Sequence, residues 1–403
     1  MERLGVYQIL GPTNCNDPRI PGYCADYLRQ LSQAMGVEVY AAEPEAFTAQ
    51  DVHVFFIGSG GTAAPFSQVC DCVDGPYVLL TVPAYNSLAA SMEILSYLQR
   101  RGKQGEIIHG TVEENARRLL AILKAARARK AIAAMRMGAI GEAITLVASC
   151  ADHAVLKQRF GADLVVLEVQ ELVDEYHKGG YPENAYTRTL KASGYDPVEL
   201  EKALNVYGAA KRLVEKYGLQ AVTLRCFDLL GSIGTTGCLA LAILNAEGIP
   251  SACEGDTRSM LAMTVLYQLT GQPVFMANPS QLDRHKNEMI FAHCTLPINM
   301  PDSYQLTTHF ESGLGVALAG ELAPGPITIF KCDETMERYY VQDAELVASL
   351  HREDLCRTQL HIRLPQGTDY FVTAPISNHH MICKGHWADV VEEFFKQGKA
   401  VEG

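Results

Sequence analysis

Apolar and polar positions follow two different grammars along this chain. Up to about residue 295, short apolar runs lead into stretches with helical period. Residues 52–66, VHVFFIGSGGTAAPF, read as a strand entering a glycine-rich turn. Residues 76–102 read as a strand, a turn at Pro83 and a helix stopped by Gly102. Residues 114–135, ENARRLLAILKAARARKAIAAM, predict an amphipathic helix that joins two domains and keeps its basic face in solvent. A second series begins at residues 137–142, MGAIGE, and 160–169 form a buried strand. Asp196-Pro197-Val198-Glu199 is a strong helix start, with Asp as N-cap, Pro at the first helical position and Glu at the third. That helix runs to Gly218, residues 221–227 follow as a strand, and helices closed by Gly248 and Gly271 come next. Repeated strand–helix units imply mostly parallel sheets with helices on both faces.

Beyond residue 295 the pattern shortens. Residues 326–333, 337–347, 358–364 and 368–374 are strand-like segments between turn residues, and 388–398 form a last helix. The predicted fold class is α/β: two Rossmann-like α/β domains followed by a C-terminal, mainly antiparallel β domain. The expected domains are 1–135, 136–294 and 295–403. No internal repeat interrupts them.

Composition narrows the function. The 403 residues are 48% hydrophobic and 20% charged, as in an ordinary globular protein. A net charge of −12 argues against nucleic acid and anionic membranes as partners. No apolar run reaches the roughly 18 residues of a membrane span, and the N-terminus has no signal-peptide pattern. Twelve scattered cysteines without a CxxC pair point to a reducing cytoplasm.

Candidate chemistry concentrates in residues 248–297, read as one helix plus one strand between Glu254 and His293. Residues at strand ends of an α/β fold face a common crevice, where Glu254, Asn278 and His293 can converge. A carboxylate, an amide oxygen and an imidazole suit Mn²⁺ or Mg²⁺. His379 and His380 are adjacent, so an extended chain points them in opposite directions. His380 is taken as the ligand and His379 as a substrate contact. Asp256 and Arg258 are placed to meet hydroxyls or each other. His309 and Glu311 share one face of a predicted strand, and His309 is a candidate substrate contact. The turn 58–62 fits neither GxGxxG nor a P-loop and lacks the P-loop lysine. It reads instead as a strand-end loop lining a ligand cleft, as does Tyr85-Asn86-Ser87, with Asn86 the contact. Cys253 and Cys294 flank the polar centre, but His293 diverges from its neighbour Cys294 on a strand and is badly placed to activate it.

The run GIPSACEGDTRSMLAMTVLYQLTGQPVFMAN, then FAHCTLP, then SNHH and KGHW, resembles the L-fucose isomerase and L-arabinose isomerase superfamily, in motif order over roughly residues 220–390. The resemblance implies a cytoplasmic homo-oligomer, a trimer or hexamer, that interconverts aldoses and ketoses with Mn²⁺ through a cis-enediol. It implies that Glu254 binds the metal and moves protons. It implies that Asn278 stands where the fucose-type enzymes carry a metal-binding, acid–base aspartate. His293 matches an arabinose-type ligand, and His379-His380 match the C-terminal metal-binding histidine. Moving a proton between neighbouring carbons needs a base, an acid near the oxygen and a cation for the developing enediolate. Asn278 can offer its oxygen to a metal but cannot take a proton at neutral pH. The expectation is therefore a metal-dependent sugar isomerase or close relative, with Glu254 and Asn278 catalytic and Glu254, Asn278, His293 and His380 around the metal. Asp283 and Glu288 are the possible replacement acids. The alternatives are a sugar-binding relative without isomerisation and a lyase on the same scaffold.

Overall fold

A computed structural model describes residues 3–12 and 17–400, apart from the side chains of the last two. The chain divides into two compact units, one reaching to Arg127 and one covering Ala128–Lys399. In the first, β1 (Arg3–Ile9), β2 (Glu38–Ala41), β3 (Val54–Ile57), β4 (Tyr77–Thr81) and β5 (Gly105–Ile108) form a parallel sheet in the order β2-β1-β3-β4-β5. All residues of β3 and β4 are buried, because helices cover a doubly wound sheet on both faces. The predicted helix over 114–135 is Val112–Ala133, and it crosses the division between the units.

The second unit starts with another parallel sheet. Its strands β6 (Arg136–Ile140), β7 (Asp163–Leu167), β8 (Ala221–Leu224) and β9 (Ser251–Cys253) lie in the order β7-β6-β8-β9. The helix Pro197–Tyr217 begins as the sequence predicts: the Asp196 carboxylate accepts from the backbone of Val198 and Glu199, and Gly218 closes it at φ 62°.

The chain then pairs antiparallel. Strands β10 (Phe275–Asp283) and β11 (Glu288–His293) are followed by the separate pair β12 (Ser303–Thr307) and β13 (Ala317–Glu321). Then come β14 (Gly325–Cys332), β15 (Tyr339–Ser349), β16 (Thr358–Arg363) and β17 (His380–Lys384). Six of these close a barrel in the order β10-β11-β16-β15-β14-β17. Phe275, Phe291, Ile329, Leu346, Leu360 and Ile382 belong to its buried core. Antiparallel pairing therefore starts at Phe275, ahead of the change expected at 295. Residues 248–297 hold a two-stranded hairpin where one strand was expected, since periodicity does not reveal which partner a short apolar run will find.

Two expected strand features take other forms. Residues 369–373 are a short helix, not a strand. A strand would turn consecutive side chains to opposite faces. Here Tyr370 stacks on Tyr340 at 3.8 Å and Phe371 meets Phe291 at 5.7 Å, while Val372 is exposed. His309 and Glu311 lie in the turn after β12. There the His309 backbone N–H donates to Leu314 O, and Gly313 and Gly315 take left-handed φ values. Among the described residues, no helix is long and apolar enough to cross a membrane.

Candidate metal centre

The centre is built where β9 leaves its sheet. Glu254 and Gly255 follow Cys253 with φ of 65° and 68°, two successive left-handed residues that turn the chain sharply. A non-glycine residue held there costs about 1–3 kcal/mol and persists only where its surroundings fix it. Gly255 is required for a second reason. A Cβ on it would lie 2.6 Å from Ala143 N and 2.7 Å from Gly141 O, because the two backbones are in contact. Gly255→Ala is expected to lower the unfolding free energy by about 2–4 kcal/mol, from φ strain plus overpacking. Denaturant titration measures this, and an unchanged midpoint would refute the tight packing described.

The turn aims the Glu254 carboxylate at two imidazoles. Glu254 Oε1 lies 3.5 Å from His293 Nε2 and 3.5 Å from His379 Nε2. The ligand-capable atoms of the three residues all fall within 4.8 Å of one another. His293 ends β11, and His379 stands immediately before β17. Each imidazole is held from behind through its other nitrogen. His293 Nδ1 is hydrogen-bonded to Thr295 Oγ1 at 2.9 Å, and His379 Nδ1 donates to Asp256 Oδ2 at 2.9 Å. Both Nε2 atoms are thus turned to the shared centre, the arrangement in which supporting groups orient metal-binding histidines. One carboxylate and two imidazoles, fixed from behind and closely spaced, fit a divalent cation.

The electrostatics agree with this geometry. Burial raises the Glu254 carboxyl, but the His293 and His379 imidazoles outweigh it and hold the group well below the ordinary carboxylate range. Burial also raises Asp256, while Lys331 and His379 bring it down to about 2. For His379, burial favours the neutral ring, but Asp256 and Glu254 together raise its pKa above the ordinary value.

The structure brings Glu254 and His293 together, and Asn278 reaches the edge of the centre. Asn278 Oδ1 accepts from Asn378 Nδ2 at 3.1 Å, and Asn378 Nδ2 lies 3.3 Å from His379 Nε2. The adjacent histidines do diverge, but His379, and not the His380 expected there, is the one turned to Glu254. His379 faces Glu254, whereas His380 donates from Nδ1 to Asn378 O and receives the Tyr370 hydroxyl at Nε2. Burial and the Lys331 charge push His380 down to about 3, so it is a neutral ring packed on Phe371.

Of the other candidates, only Asp256 touches one of these three groups, through His379 Nδ1. Asp256 is fully buried, supports His379 and caps the helix Thr257–Thr270 through Ser259 N. Arg258 does not meet it but forks onto Glu334 at 2.7 and 2.8 Å. His309 is hydrogen-bonded to Ser312 in its turn, and Asn86 belongs to the first unit. Asp283 binds the backbone of His285 and Lys286, and Glu288 pairs with Arg363 and His361, both at the far end of the β10–β11 hairpin. Cys253 is buried with its sulfur 2.9 Å from that of Cys226, and Cys294 is buried with Cys238 and Ala317. Sequence reasoning missed Asn378, Thr295, Ser259 and Lys331. Ser259, three residues after the N-cap Asp256, was readable as a capping partner; Lys331 looked like any lysine in a strand.

The fold and the centre define a mixed α/β chain carrying a carboxylate with two imidazoles at the junction of a parallel sheet and an antiparallel barrel. No family model matches its sequence. It is similar to the sulfoquinovose isomerase of Clostridium sp. (strain MSTE9), at 30% identity over 197 residues. That match takes in 46% of this chain and 44% of the relative, so it spans less than half of the relative's length. The solved D-threo-3-hydroxyaspartate dehydratase from Delftia sp. HT23 pairs with 93% of this chain and 90% of that one, at 13% identity. Its TM-score of 0.14 carries no argument about fold or chemistry.

Proposed function

We propose that this protein is a metal-dependent aldose–ketose isomerase, a relative of the L-fucose and L-arabinose isomerases, acting on a sugar or sugar derivative. The observation that carries the reading is the convergence of Glu254 with the Nε2 atoms of His293 and His379. The similarity to a sulfoquinovose isomerase supports the reaction class and makes sulfoquinovose the first substrate to try. Two imidazoles beside one carboxylate favour Mn²⁺ over Mg²⁺, which prefers all-oxygen shells. Glu254, His293 and His379 would hold the ion. When bound, it supplies a Lewis acid for the sugar oxygens on which charge develops.

The chain's own groups divide the remaining work. Glu254, ionised at neutral pH, takes the proton from the carbon beside the carbonyl and returns it to the carbonyl carbon, while the hydroxyl on the first carbon gives its proton to solvent and the former carbonyl oxygen takes one from solvent. Asn278 and Asn378 offer amide donors and acceptors that orient hydroxyls but carry no proton between them. Asp256 keeps His379 in the orientation the centre needs. The amide at 278 also favours a second reading, a sugar-binding relative that does not isomerise. Incubation with Mn²⁺ and sulfoquinovose in deuterated water separates the two. Ketose with deuterium at the reacting carbon is expected; bound but unchanged sugar would overturn the isomerase reading.

The affinity for Mn²⁺ is expected to fall as pH falls, starting from a higher pH than an ordinary histidine would set. The sign follows from His379. Its pKa is raised, so its proton persists to higher pH than on an ordinary histidine, and the ion must displace it. Calorimetric titration at several pH values measures the dependence. An affinity independent of pH would mean that His379 is not a ligand.

A further inference from the structure

Lys331 is fully buried near the end of β14, and nothing in the proposed reaction uses it. Its Nζ donates to Ser259 Oγ at 2.9 Å. Ser259 Oγ donates to Asp256 Oδ2 at 2.6 Å, the same oxygen that accepts from His379 Nδ1. Lys331, Ser259, Asp256 and His379 are each 0% exposed, so this chain of direct contacts from the lysine to the imidazole is shut off from bulk solvent. The second cation nearby is already committed, because Arg258 forks onto Glu334.

We infer that Lys331 is a positioning residue for the centre: acting through Ser259 and Asp256, it holds the His379 imidazole with Nε2 turned to Glu254. The inference rests on the reading of Glu254, His293 and His379 as a divalent-cation site. The direction of the hydrogen bonds carries the argument. An ammonium has only protons to give, so the Ser259 hydroxyl must accept from Lys331. Its own single proton then has to point at Asp256. Asp256 Oδ1 accepts from Ser259 N, and Oδ2 accepts the hydroxyl. The carboxylate is thereby locked in place, with one remaining direction on Oδ2 for an N–H donor. His379 fills it with Nδ1–H, which leaves the lone pair on Nε2. A buried carboxylate also needs a counter-charge to remain ionised away from bulk solvent, and Lys331 supplies it. Without Lys331, the Ser259 proton has no fixed direction and Asp256 faces His379 without its cation.

The test compares the unmodified protein with Lys331→Met and Ser259→Ala. Two quantities are read: Mn²⁺ affinity, from the electron paramagnetic signal of free Mn²⁺, and the ¹⁵N shifts of the His379 ring in metal-free protein at a pH high enough for that ring to be neutral. Lys331→Met is expected to weaken Mn²⁺ binding about 10–100-fold, the usual effect of losing a group that supports a ligand. It should also move the His379 shifts away from a pure Nδ1–H pattern. Ser259→Ala should act in the same direction, and it decides the matter if Lys331→Met does not fold. Loss of thermal stability alone would leave both readouts of the folded protein unchanged. A folded variant with unaltered affinity and an unaltered ring pattern would overturn the inference. If the unmodified protein binds no divalent cation, the metal reading fails separately, and the ring pattern still decides the role of Lys331.

Discussion

Glu254→Gln is expected to lower sugar turnover by about 10²–10⁴-fold and to remove the thermal stabilisation conferred by Mn²⁺. The substitution keeps the shape of the side chain and deletes one charge and the proton-accepting oxygen. In the centre described above, that oxygen is the meeting point of His293 and His379, 3.5 Å from each Nε2. An amide cannot abstract a proton from carbon. It also presents an N–H₂ group toward imidazoles whose own donors are needed elsewhere. The fold should survive, because the left-handed turn at 254 and 255 depends on the backbone and on Gly255. Steady-state kinetics and thermal melts with and without Mn²⁺ measure the two effects. Turnover within tenfold of the unmodified protein would remove Glu254 from its proposed role as base.

Asn278→Asp is expected to act in the opposite direction. Asn278 is half-buried at the edge of the centre and linked to His379 through Asn378. An aspartate of nearly the same shape can still accept from Asn378 Nδ2. It adds one negative charge near the cation and a group able to relay a proton between sugar oxygens. The added charge should tighten Mn²⁺ binding by roughly tenfold or more. The added relay should raise turnover of a simple aldose by about 10²–10⁴-fold. The comparison is kcat on the same sugar at saturating Mn²⁺. If kcat does not move while Mn²⁺ binds more tightly, residue 278 shapes the shell without handling the proton.

The parts of this protein legible in its sequence are those fixed by local chemistry. Asp196 and Pro197 announce a helix, and Gly218 ends it, because caps and left-handed closures are properties of a few adjacent residues. Buried parallel strands such as 54–57 and 77–81 are visible as unbroken apolar runs between turns. Glu254 and His293 were found because both sit where a strand gives out. What sequence did not reveal depends on pairing between distant segments. That β10 and β11 leave the parallel pattern to close a barrel with β16 and β17 is a long-range choice. Residues 369–373 carry β-type residues, yet they coil so that Tyr370 and Phe371 both reach the aromatic cluster. Sequence showed that His379 and His380 must diverge but not which would face Glu254. Lys331 gave no sign of burial, because a lysine in a strand is nearly always an exposed one.

The adjacency of His379 and His380 makes the composition of the centre a matter of strand register. Strand β17 is hydrogen-bonded to β10 on one edge and to β14 on the other, with Ala277 opposite His380 and Ile329 opposite Ile382. A slip of one residue would turn every side chain of the strand over. It would present the packed ring of His380 to Glu254 and bury His379 among Tyr370 and Phe371. Closure of the barrel forbids this, because a slip must break two ladders at once and there is no free edge along which to slide. A one-residue insertion between 374 and 379 can be absorbed in the connection ahead of β17. One within β17 would have to choose between its ladders and its histidine. Tolerance to insertion should therefore change abruptly at residue 379, and a scan of single-residue insertions through this segment would locate the boundary by loss of Mn²⁺ binding.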